Sequence, residues 1–404
     1  MANQTTTIPK GWKTTTLGNI PESWNLEIAE SYCEKVADGT HATPKPVERG
    51  KHLITSKHIK DGRVDLSSAY KISENDFIEI NKRSKVNQWD VLFSMIGTVG
   101  EIALIDRVPD YAIKNVGLFK CGEESRAKWL YYFLRGKIGQ DEIQRRMNGT
   151  TQSYVTLGDL RSFPLIIPSS NTELKAIVAV LSSLDDKIEL LRDQNKTLEA
   201  TAQAIFKEWF VNFNFPGATG KMIDSELGKI PEGWRIGKLG EEFKIEYGKS
   251  DKEFDADGIY PVYGAGGIVG YSNFADYRDY QVIIGCRGTC GNITLAYEDS
   301  KITHNSLIIS NDWFKPFIYL YLHSVDIEKA ITGSTQPQIT IGSLNNIEIL
   351  IPQNKIVSTF VEIIVPIFKK KRNNFCQIQT LSVFRDTLLP KLMKGELRVS
   401  GFID

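Results

Sequence analysis

The stretch TELKAIVAVLSSLDDKIELLRDQNKTLEATAQAIFKEWF, from Thr172 to Phe210, decides the fold. Apolar residues recur in it at alternating spacings of three and four, and neither glycine nor proline interrupts it. This pattern is typical of a coiled-coil seam, so we predict one helix of about 38 residues that extends roughly 57 Å. The predicted seam positions are Leu174, Ile177, Leu181, Leu184, Ile188, Leu191, Asn195, Leu198, Ala202, Ile205 and Trp209.

A second row with the same period lies near the C-terminus and predicts a partner helix. Two such helices in one chain, separated by a globular segment, most simply pack antiparallel. Pro366 is expected to kink the second helix or to end its first segment, because proline lacks the amide donor and clashes one turn back. Asn195 is either a register pin or a solvated interruption of the first seam. The second seam contains Val357, Phe360, Ile364, Ile367, Lys371, Asn374, Ile378, Leu381, Arg385, Leu388 and Leu392, and its two charged members break the apolar row.

The composition indicates a globular protein with more than one core. The chain has 404 residues, 41% of them hydrophobic, with 49 basic and 49 acidic side chains, so two or more domains are expected. No apolar run reaches the ~18 residues of a membrane span and no secretory signal opens the chain, so we expect a cytoplasmic protein. Five scattered cysteines argue against a disulfide framework, and the lone pair Cys286 and Cys290 is weak evidence for zinc.

An internal repeat organises the rest of the chain. The motif LGNIPESW at Leu17 returns as LGKIPEGW at Leu227, and GTTQSYVTLGDLRSFPLIIP at Gly149 returns as GSTQPQITIGSLNNIEILIP at Gly333. Each later motif is followed by one of the two long helices, so the repeat unit is an entry motif, a body, an exit motif and a helix. Between these motifs the two bodies share one GT-x-G turn and no further evident sequence similarity. We therefore expect a duplicated scaffold that holds two dissimilar bodies in a pseudo-twofold arrangement.

Short strands, glycine turns and a few helices predict an α+β fold, with two α/β bodies linked by two long antiparallel coiled-coil helices. The glycine-rich stretch from Pro261 to Tyr271 is interpreted as a hairpin in preference to a ligand-binding loop. The predicted domains are 1–168, a first body with its entry segment; 169–216, a first spacer helix; 217–352, a second body; and 353–404, a second spacer helix and tail. Predicted strands are His52 to Ser56, Asp90 to Ile96, Glu101 to Ile105, Val116 to Lys120, Tyr260 to Tyr263, Gln281 to Gly285, Asn292 to Tyr297 and Ser306 to Ser310, and predicted short helices are Lys128 to Leu134, Ile138 to Met147 and Phe317 to Ala330.

Motifs of the common enzyme classes are absent from the sequence. It has no phosphate-binding loop, dinucleotide fingerprint, amino-methyltransferase tetrapeptide, nucleophile elbow or zinc-protease helix. A non-catalytic binding scaffold is therefore favoured. Neither body is strongly basic, so contact with nucleic acid would depend on local patches and on charge from partners. The basic run from Lys369 to Arg372 could contact phosphate or an acidic partner.

The chain resembles the specificity subunit of type I restriction-modification systems. The residues that carry the resemblance are FKEWFVNFNFP from Phe206, DSELGKIPEGW from Asp224 and RDTLLPKLMKGELRV from Arg385, together with the two exit motifs that begin GTTQ and GSTQ. The resemblance covers essentially the whole chain. Its helical and linker motifs are specific, whereas bodies vary so much within the family that they identify no target sequence.

The resemblance implies that each body reads one half of a bipartite, asymmetric site in double-stranded DNA and that the helices fix the unread gap. It also implies that two methyltransferase subunits, which bind S-adenosylmethionine, and motor-nuclease subunits, which use ATP and Mg²⁺, dock on this chain. No cofactor or metal is expected in the chain itself.

Base edges are usually read by polar side chains on loops that a rigid body positions. Two other hypotheses stay open at this point: a coiled-coil protein adaptor without a DNA role, and the reader subunit of another restriction-modification type. The candidate DNA-binding residues are Thr40, His41, Lys57, His58, Thr98, Lys114, Asn115, Gln152, Ser153 and Tyr154 in the first body and Tyr263, Arg287, Thr289, His304, Asn305, Gln336 and Gln338 in the second.

Overall fold

The computed structural model describes residues 8–149, 152–251, 254–255 and 257–399. The chain divides into two compact units, one formed by 1–187 with 381–404 and the other by 188–380. The α-helices of the described residues are α1 (Ala29–Tyr32), α2 (Glu74–Ser84), α3 (Glu124–Arg135), α4 (Lys137–Arg146), α5 (Leu157–Arg161), α6 (Asn171–Phe210), α7 (Leu239–Glu242), α8 (Lys315–Leu322), α9 (Ile341–Asn345) and α10 (Asn354–Met393).

Among the described residues, each half of the chain has thirteen strands. Those of the first half are β1 (Trp12–Thr15), β2 (Gly18–Pro21), β3 (Trp24–Ile28), β4 (Lys35–Asp38), β5 (Lys51–Ile54), β6 (Ile59–Lys60), β7 (Arg63–Val64), β8 (Lys71–Ile72), β9 (Asp90–Ser94), β10 (Ile102–Leu104), β11 (Tyr111–Ile113), β12 (Val116–Lys120) and β13 (Pro164–Pro168). Those of the second half are β14 (Met222–Ser225), β15 (Gly228–Pro231), β16 (Arg235–Lys238), β17 (Lys244–Tyr247), β18 (Tyr260–Gly264), β19 (Gly267–Ser272), β20 (Gln281–Gly285), β21 (Ile293–Ala296), β22 (Lys301–Ile302), β23 (Ser306–Ser310), β24 (Ile331–Thr332), β25 (Gln338–Ile339) and β26 (Glu348–Ile351).

The two predicted long helices are confirmed as α6 and α10, each of 40 residues. Helix α10 runs without interruption through Pro366, so proline does not end its first segment. The side chain of Pro366 is exposed, and a carbonyl freed on the solvent face can be satisfied by water. The outer face therefore tolerates a residue that the seam would not.

The predicted seam is the buried stripe of both helices, and none of its residues is exposed. In the unit 188–380, Phe206, Glu199 and Asn195 of α6 meet Phe360, Lys371 and Asn374 of α10 in reversed order, so the two segments run antiparallel. The amide of Asn374 donates to Oδ1 of Asn195 at 3.0 Å, and Asn374 is fully buried. Asn195 is thus a paired seam residue and not a solvated interruption.

The charged residues that break the second apolar row are also paired. Lys371 is buried against Glu199 and lies over the rings of Tyr297 and Phe368 at 5.4 and 5.3 Å. In the other unit, a guanidinium nitrogen of Arg385 lies 2.7 Å from Asp185, again with α6 and α10 antiparallel. Both cations therefore lie on the seam because a carboxylate of the opposite helix compensates them.

The first half contains a four-stranded sheet in the order β10-β9-β12-β4 and a three-stranded sheet in the order β11-β5-β8. Strands β11 and β5 are parallel, with Ala112 opposite Leu53. Helix α2 packs Phe77 and Ile80 against Leu53 and Ala112, on the outer face of the smaller sheet. The opposite face, with Ile54 and Ile113, joins the core beneath the four-stranded sheet.

The second half repeats these sheets as β21-β20-β23-β17 and β22-β18-β19, again with one parallel pair, β18 and β22. The prediction that the bodies are dissimilar is therefore wrong for strand order. The connections differ. In the first half β6 and β7 lie between β5 and β8, and α2 follows β8, whereas in the second half β18 and β19 form a direct hairpin. That hairpin confirms the interpretation of the glycine-rich stretch.

Entry and exit motifs close each body. Strand β3 of the first entry segment pairs with β13 of the first exit segment, with Trp24 opposite Pro168, and β16 pairs with β26 in the same way. Most predicted strands and short helices are confirmed within a few residues of their bounds. The predicted helix from Phe317 to Ala330 is shorter, because α8 ends at Leu322 and a separate 3₁₀ turn spans Ile327–Ala330.

Each half has its own aromatic core. Trp24 and Trp129 meet edge to face at 5.8 Å in the first, and Phe360 packs against Phe206, Phe210 and Phe317 in the second. The fold is therefore the predicted α+β class, with two α/β bodies and two long antiparallel helices in an internal repeat. None of the helices in the described ranges combines the length and the apolar character needed to cross a membrane.

Candidate nucleic-acid interface

Loops at one edge of the first four-stranded sheet bring most of the predicted residues of the first body together. These loops, here the first loop cluster, are residues 39–43, 55–58, 96–98, 114–115 and 152–154. The first four of them follow the C-terminal ends of β4, β5, β9 and β11. Strands β4 and β9 both run antiparallel to β12 and so end at the same edge, and β5 and β11 are parallel to each other. Thr40 forms a parallel bridge with Lys114, and Ile96 forms an antiparallel bridge with Tyr154.

His41 is held at this edge by polar side chains on either side of its ring. Its Nδ1 lies 2.8 Å from Oδ1 of Asn115, and its Nε2 lies 3.0 Å from a carboxylate oxygen of Asp38. Asp38 is buried and also pairs with Arg83, whereas the His41 side chain is 68% exposed. Asp38 and Asn115 thus fix the orientation of the imidazole, which is exposed to solvent.

Asn115 connects several of these loops. It has a positive φ of 52°, a conformation that asparagine adopts more readily than most residues. Its amide donates to Thr40 O at 3.1 Å, and its carbonyl accepts from the hydroxyl of Ser56 at 3.3 Å. The same hydroxyl accepts from the amide of Ile96 at 3.4 Å. Lys57 and Thr98 are exposed beside this network.

The exit segment completes the first loop cluster. The carbonyl of Ser153 accepts from the amide of Gly97 at 3.1 Å, so the exit loop lies against the turn after β9. Gln152 and Tyr154 are exposed, and Ser153 is half-buried. Thr150 and Thr151, the middle of the GTTQ motif, lie outside the described residues.

A second loop cluster occupies the matching edge of the second body, at residues 248–251, 265–267, 287–289, 303–305 and 336–338. Arg287 forms an antiparallel bridge with Gln338, and Ser250 forms a parallel bridge with Thr303. These two bridges correspond to those of the first loop cluster. The two clusters therefore share one backbone frame at the same position in the repeat.

The second frame is joined by backbone groups, a thiol and the hydroxyl of Ser250, which accepts from the amide of Ile302 at 3.1 Å. The carbonyl of Asn305 accepts from the amides of Cys286 and Arg287 at 2.9 and 3.3 Å, and the Cys290 thiol donates to Pro337 O at 3.0 Å. Exposed side chains on this frame are those of Arg287, Thr289, His304, Gln336 and Gln338, and Asn305 is half-buried.

Two predicted contacts do not fit their positions. His58 is 1% exposed, and its Nδ1 accepts from the amide of Thr55 at 2.9 Å, which caps the 3₁₀ turn Ser56–His58. Burial lowers the pKa of His58 and favours the neutral ring. Tyr263 is 3% exposed, and burial raises the pKa of its hydroxyl. Both side chains belong to the core beneath the loops, so the prediction that they contact DNA is corrected.

Sequence reasoning missed the residues that brace the exposed ones. Asp38 and Ser56 carry no surface signal, because both are buried and act through His41 and Asn115. Their position directly before a polar turn is the only feature that could have indicated them. Asn292, whose amide donates to Ala265 O at 3.3 Å, has the same bracing role in the second loop cluster.

The exposed side chains of the two clusters are suited to binding a polar ligand. Each presents a mixture of hydrogen-bond donors and acceptors with one or two cations, the combination that suits base edges and phosphates. Within the described ranges, no group of three or more His, Cys, Asp or Glu side chains is arranged to hold a metal ion.

Comparison with known proteins assigns most of the chain to one family. The family model described as the type I restriction modification DNA specificity domain matches twice, at residues 45–200 and 231–374. The MjaIX type I restriction enzyme specificity subunit of Methanocaldococcus jannaschii is 26% identical, with 96% of each chain covered. The HindI specificity subunit of Haemophilus influenzae is 25% identical over 61% of this chain and 72% of its own. The crystal structure of a type I restriction-modification S subunit from M. genitalium superposes with a TM-score of 0.55 at 19% identity, covering 91% of this chain and 96% of that one, a likeness of fold.

Proposed function

Since this chain belongs to the type I restriction-modification DNA specificity family, we propose that it reads a bipartite, asymmetric site in double-stranded DNA, one half with each loop cluster. The family consists of recognition subunits, so the chain is a non-catalytic component of a restriction-modification system. Residues 1–168 and 217–352 are the proposed reading bodies, 169–216 and 353–404 the proposed spacers, and the cytoplasm the proposed location.

One observation carries the proposal. The two loop clusters repeat the same pair of backbone bridges, but the residues at the bridged positions differ. Ile96 and Tyr154 form the antiparallel bridge of the first frame, and Arg287 and Gln338 form that of the second. Lys114 of the first parallel bridge corresponds to Thr303 of the second. A duplicated frame with unlike polar side chains is what two different half-sites require, since base identity is read by the donor and acceptor pattern of each loop.

The partners follow from the family. Two methyltransferase subunits that bind S-adenosylmethionine would modify adenine in each half-site, and motor-nuclease subunits that use ATP and Mg²⁺ would add restriction. The near-neutral charge of the chain supports such sharing, because phosphate neutralisation supplies much of the affinity for DNA and the partners can contribute it.

The test is a genome-wide map of N6-methyladenine in cells that express this chain with its neighbouring methyltransferase subunit, compared with cells that lack the chain. We expect a split motif with one methylated adenine in each half. Substituting Arg287, Thr289 and His304 together with alanine should relax only one half, since each good base contact contributes roughly 1–3 kcal/mol of discrimination. Lys244→Ala, at the opposite end of β17, is the matched control and should leave both halves unchanged.

The same map tests the spacers. One heptad inserted into both helices adds about 10 Å, which corresponds to roughly three base pairs of duplex, so the gap should lengthen while the halves stay the same. A gap that does not change in a folded variant would remove the spacing role. A methylation pattern independent of this chain would refute DNA reading and leave the adaptor hypothesis.

A further inference from the structure

Three polar pairs interrupt the otherwise apolar seam between α6 and α10. In the unit 188–380, Asn374 donates to Asn195, and Lys371 pairs with Glu199. In the unit 1–187 with 381–404, Arg385 pairs with Asp185 at 2.7 Å, with side chains only 17% and 22% exposed. Each pair takes one member from each helix.

The internal repeat shows what these positions hold in the other helix. Both helices have 40 residues, so their positions correspond one to one from Asn171 and Asn354 onward. With this correspondence, none of the six residues of the three polar pairs has a residue of the same type at the equivalent position of the other helix. The counterparts are Ile188 for Lys371, Ala202 for Arg385, Leu191 for Asn374, Ile378 for Asn195, Ser382 for Glu199 and Phe368 for Asp185.

Pairing either helix with a second copy of itself in the same antiparallel register would therefore leave the polar groups unmatched. Between two α10 helices, Lys371 would face Ser382 and Arg385 would face Phe368. Each Lys371 would then lose its carboxylate, and each Arg385 would keep only that of Asp386 on its own helix. Between two α6 helices, Asn195 would face Leu191 and Glu199 would face Ile188. A buried charge or amide without a partner is strongly destabilising, whereas a seam of apolar residues would tolerate either combination.

We propose that these three pairs select the partner of each helix: the seam of α10 accepts the seam of α6 and rejects a second α10. Lys371 is buried beside the rings of Tyr297 and Phe368, so its charge depends on the carboxylate that α6 brings to it, that of Glu199. A half of this chain consequently associates with the complementary half and not with an identical half. This selectivity is independent of DNA reading.

The full chain can be tested after cleavage at one point. A protease site placed between Gly217 and Gly220 lies in an exposed linker, where a side chain at either glycine would meet no atom within 4 Å. The folded protein is cut there, mixed with an isotopically heavy copy cut in the same way, and examined by native mass spectrometry. We expect the N-terminal and C-terminal pieces to exchange only with each other. Pairs of two N-terminal or two C-terminal pieces should be at least about 100-fold less abundant than pairs of one N-terminal and one C-terminal piece. Abundant homotypic pairs from the wild-type chain would overturn the proposal.

Two variants sharpen the result. Lys371→Ile, Asn374→Leu and Arg385→Ala together give α10 the residues of α6 at these positions, and pairs of C-terminal pieces should then appear. If that variant does not fold, the same exchange experiment is done with the charge-exchanged variant Glu199→Lys with Lys371→Glu. Its pieces should pair with each other and not with wild-type pieces, and free mixing with wild type would show that the pair does not select partners.

Discussion

The two loop clusters have the same backbone frame and different bracing. In the first, side chains hold the edge: Asp38 and Asn115 orient His41, and the Ser56 hydroxyl joins two loops. In the second, Asn305 contributes its carbonyl and the Cys290 thiol reaches the exit loop. The side chains that brace it are those of Ser250 and Asn292, which bond to the backbone of Ile302 and Ala265. The two clusters therefore share the backbone frame and differ in the groups that stabilise it.

The same contrast recurs at other equivalent positions. Trp24 and Trp234 end the two entry motifs, but only the first has a hydrogen-bond partner among the described residues. The seam also differs between the units, since Glu199 compensates Lys371 in one and Asp185 compensates Arg385 in the other, and neither ion pair has a counterpart in the repeat. Each contrast predicts that equivalent substitutions in the two halves have unequal effects.

The largest effect is expected at the buried lysine. Burial lowers the pKa of Lys371 to about 8, although Glu199 favours the charged form. The unfolded chain, with an ordinary lysine pKa, then binds more protons between about pH 8 and pH 10.5, so the free energy of unfolding should rise with pH by up to about 3 kcal/mol across that window. Lys371→Met should flatten this rise in urea unfolding curves measured at several pH values.

The arginine pair provides the control. Burial opposes the charge of Arg385, but the hydrogen bond and charge of Asp185 outweigh it and raise the pKa of the guanidinium, so it does not titrate in this window. Arg385→Met should lower the free energy of unfolding equally at pH 8 and pH 10. A rise with pH that persists in Lys371→Met would show that another group causes it.

A smaller difference is expected between the repeated tryptophans. The indole nitrogen of Trp24 donates to Glu173 at 3.1 Å, whereas that of Trp234 is buried with no partner among the described residues. Replacement by phenylalanine shrinks both side chains, but only Trp24→Phe also removes a hydrogen bond to a charged group. Trp24→Phe should therefore lower the free energy of unfolding by about 1.5 kcal/mol more than Trp234→Phe in urea titrations. Equal losses would mean that the bond to Glu173 contributes nothing.

The smallest effect separates the asparagines that precede β12 and β23. Asn115→Ala loses the contact with His41 and places alanine at a positive φ, so it should cost about 1–2 kcal/mol of unfolding free energy. Asn305→Ala keeps the carbonyl that accepts from Cys286 and Arg287, and it should change stability by less than about 0.5 kcal/mol. Thermal unfolding of the two variants checks the difference, and a larger loss for Asn305→Ala would reverse the assignment of side-chain and backbone bracing.

Local patterns determined the helices, the repeat and most strands. The apolar period from Leu174 to Trp209 extends over many turns, so one helix satisfies it whatever surrounds it. Proline was the exception, because the effect of Pro366 depends on which face of α10 it occupies. The exposure of turn residues such as His41 and Arg287 could be predicted, because polar turns are a local signal.

Only the tertiary structure decided the contacts between distant residues. The pairing of β3 with β13, the carboxylates that compensate Lys371 and Arg385, and the frame shared by the two loop clusters all join residues far apart in the chain. The burial of His58 and Tyr263 is of the same kind, since a histidine or a tyrosine in a short polar stretch has no period that tells core from surface. Periodicity reports the face of one element, whereas burial and charge compensation depend on the element that packs against it.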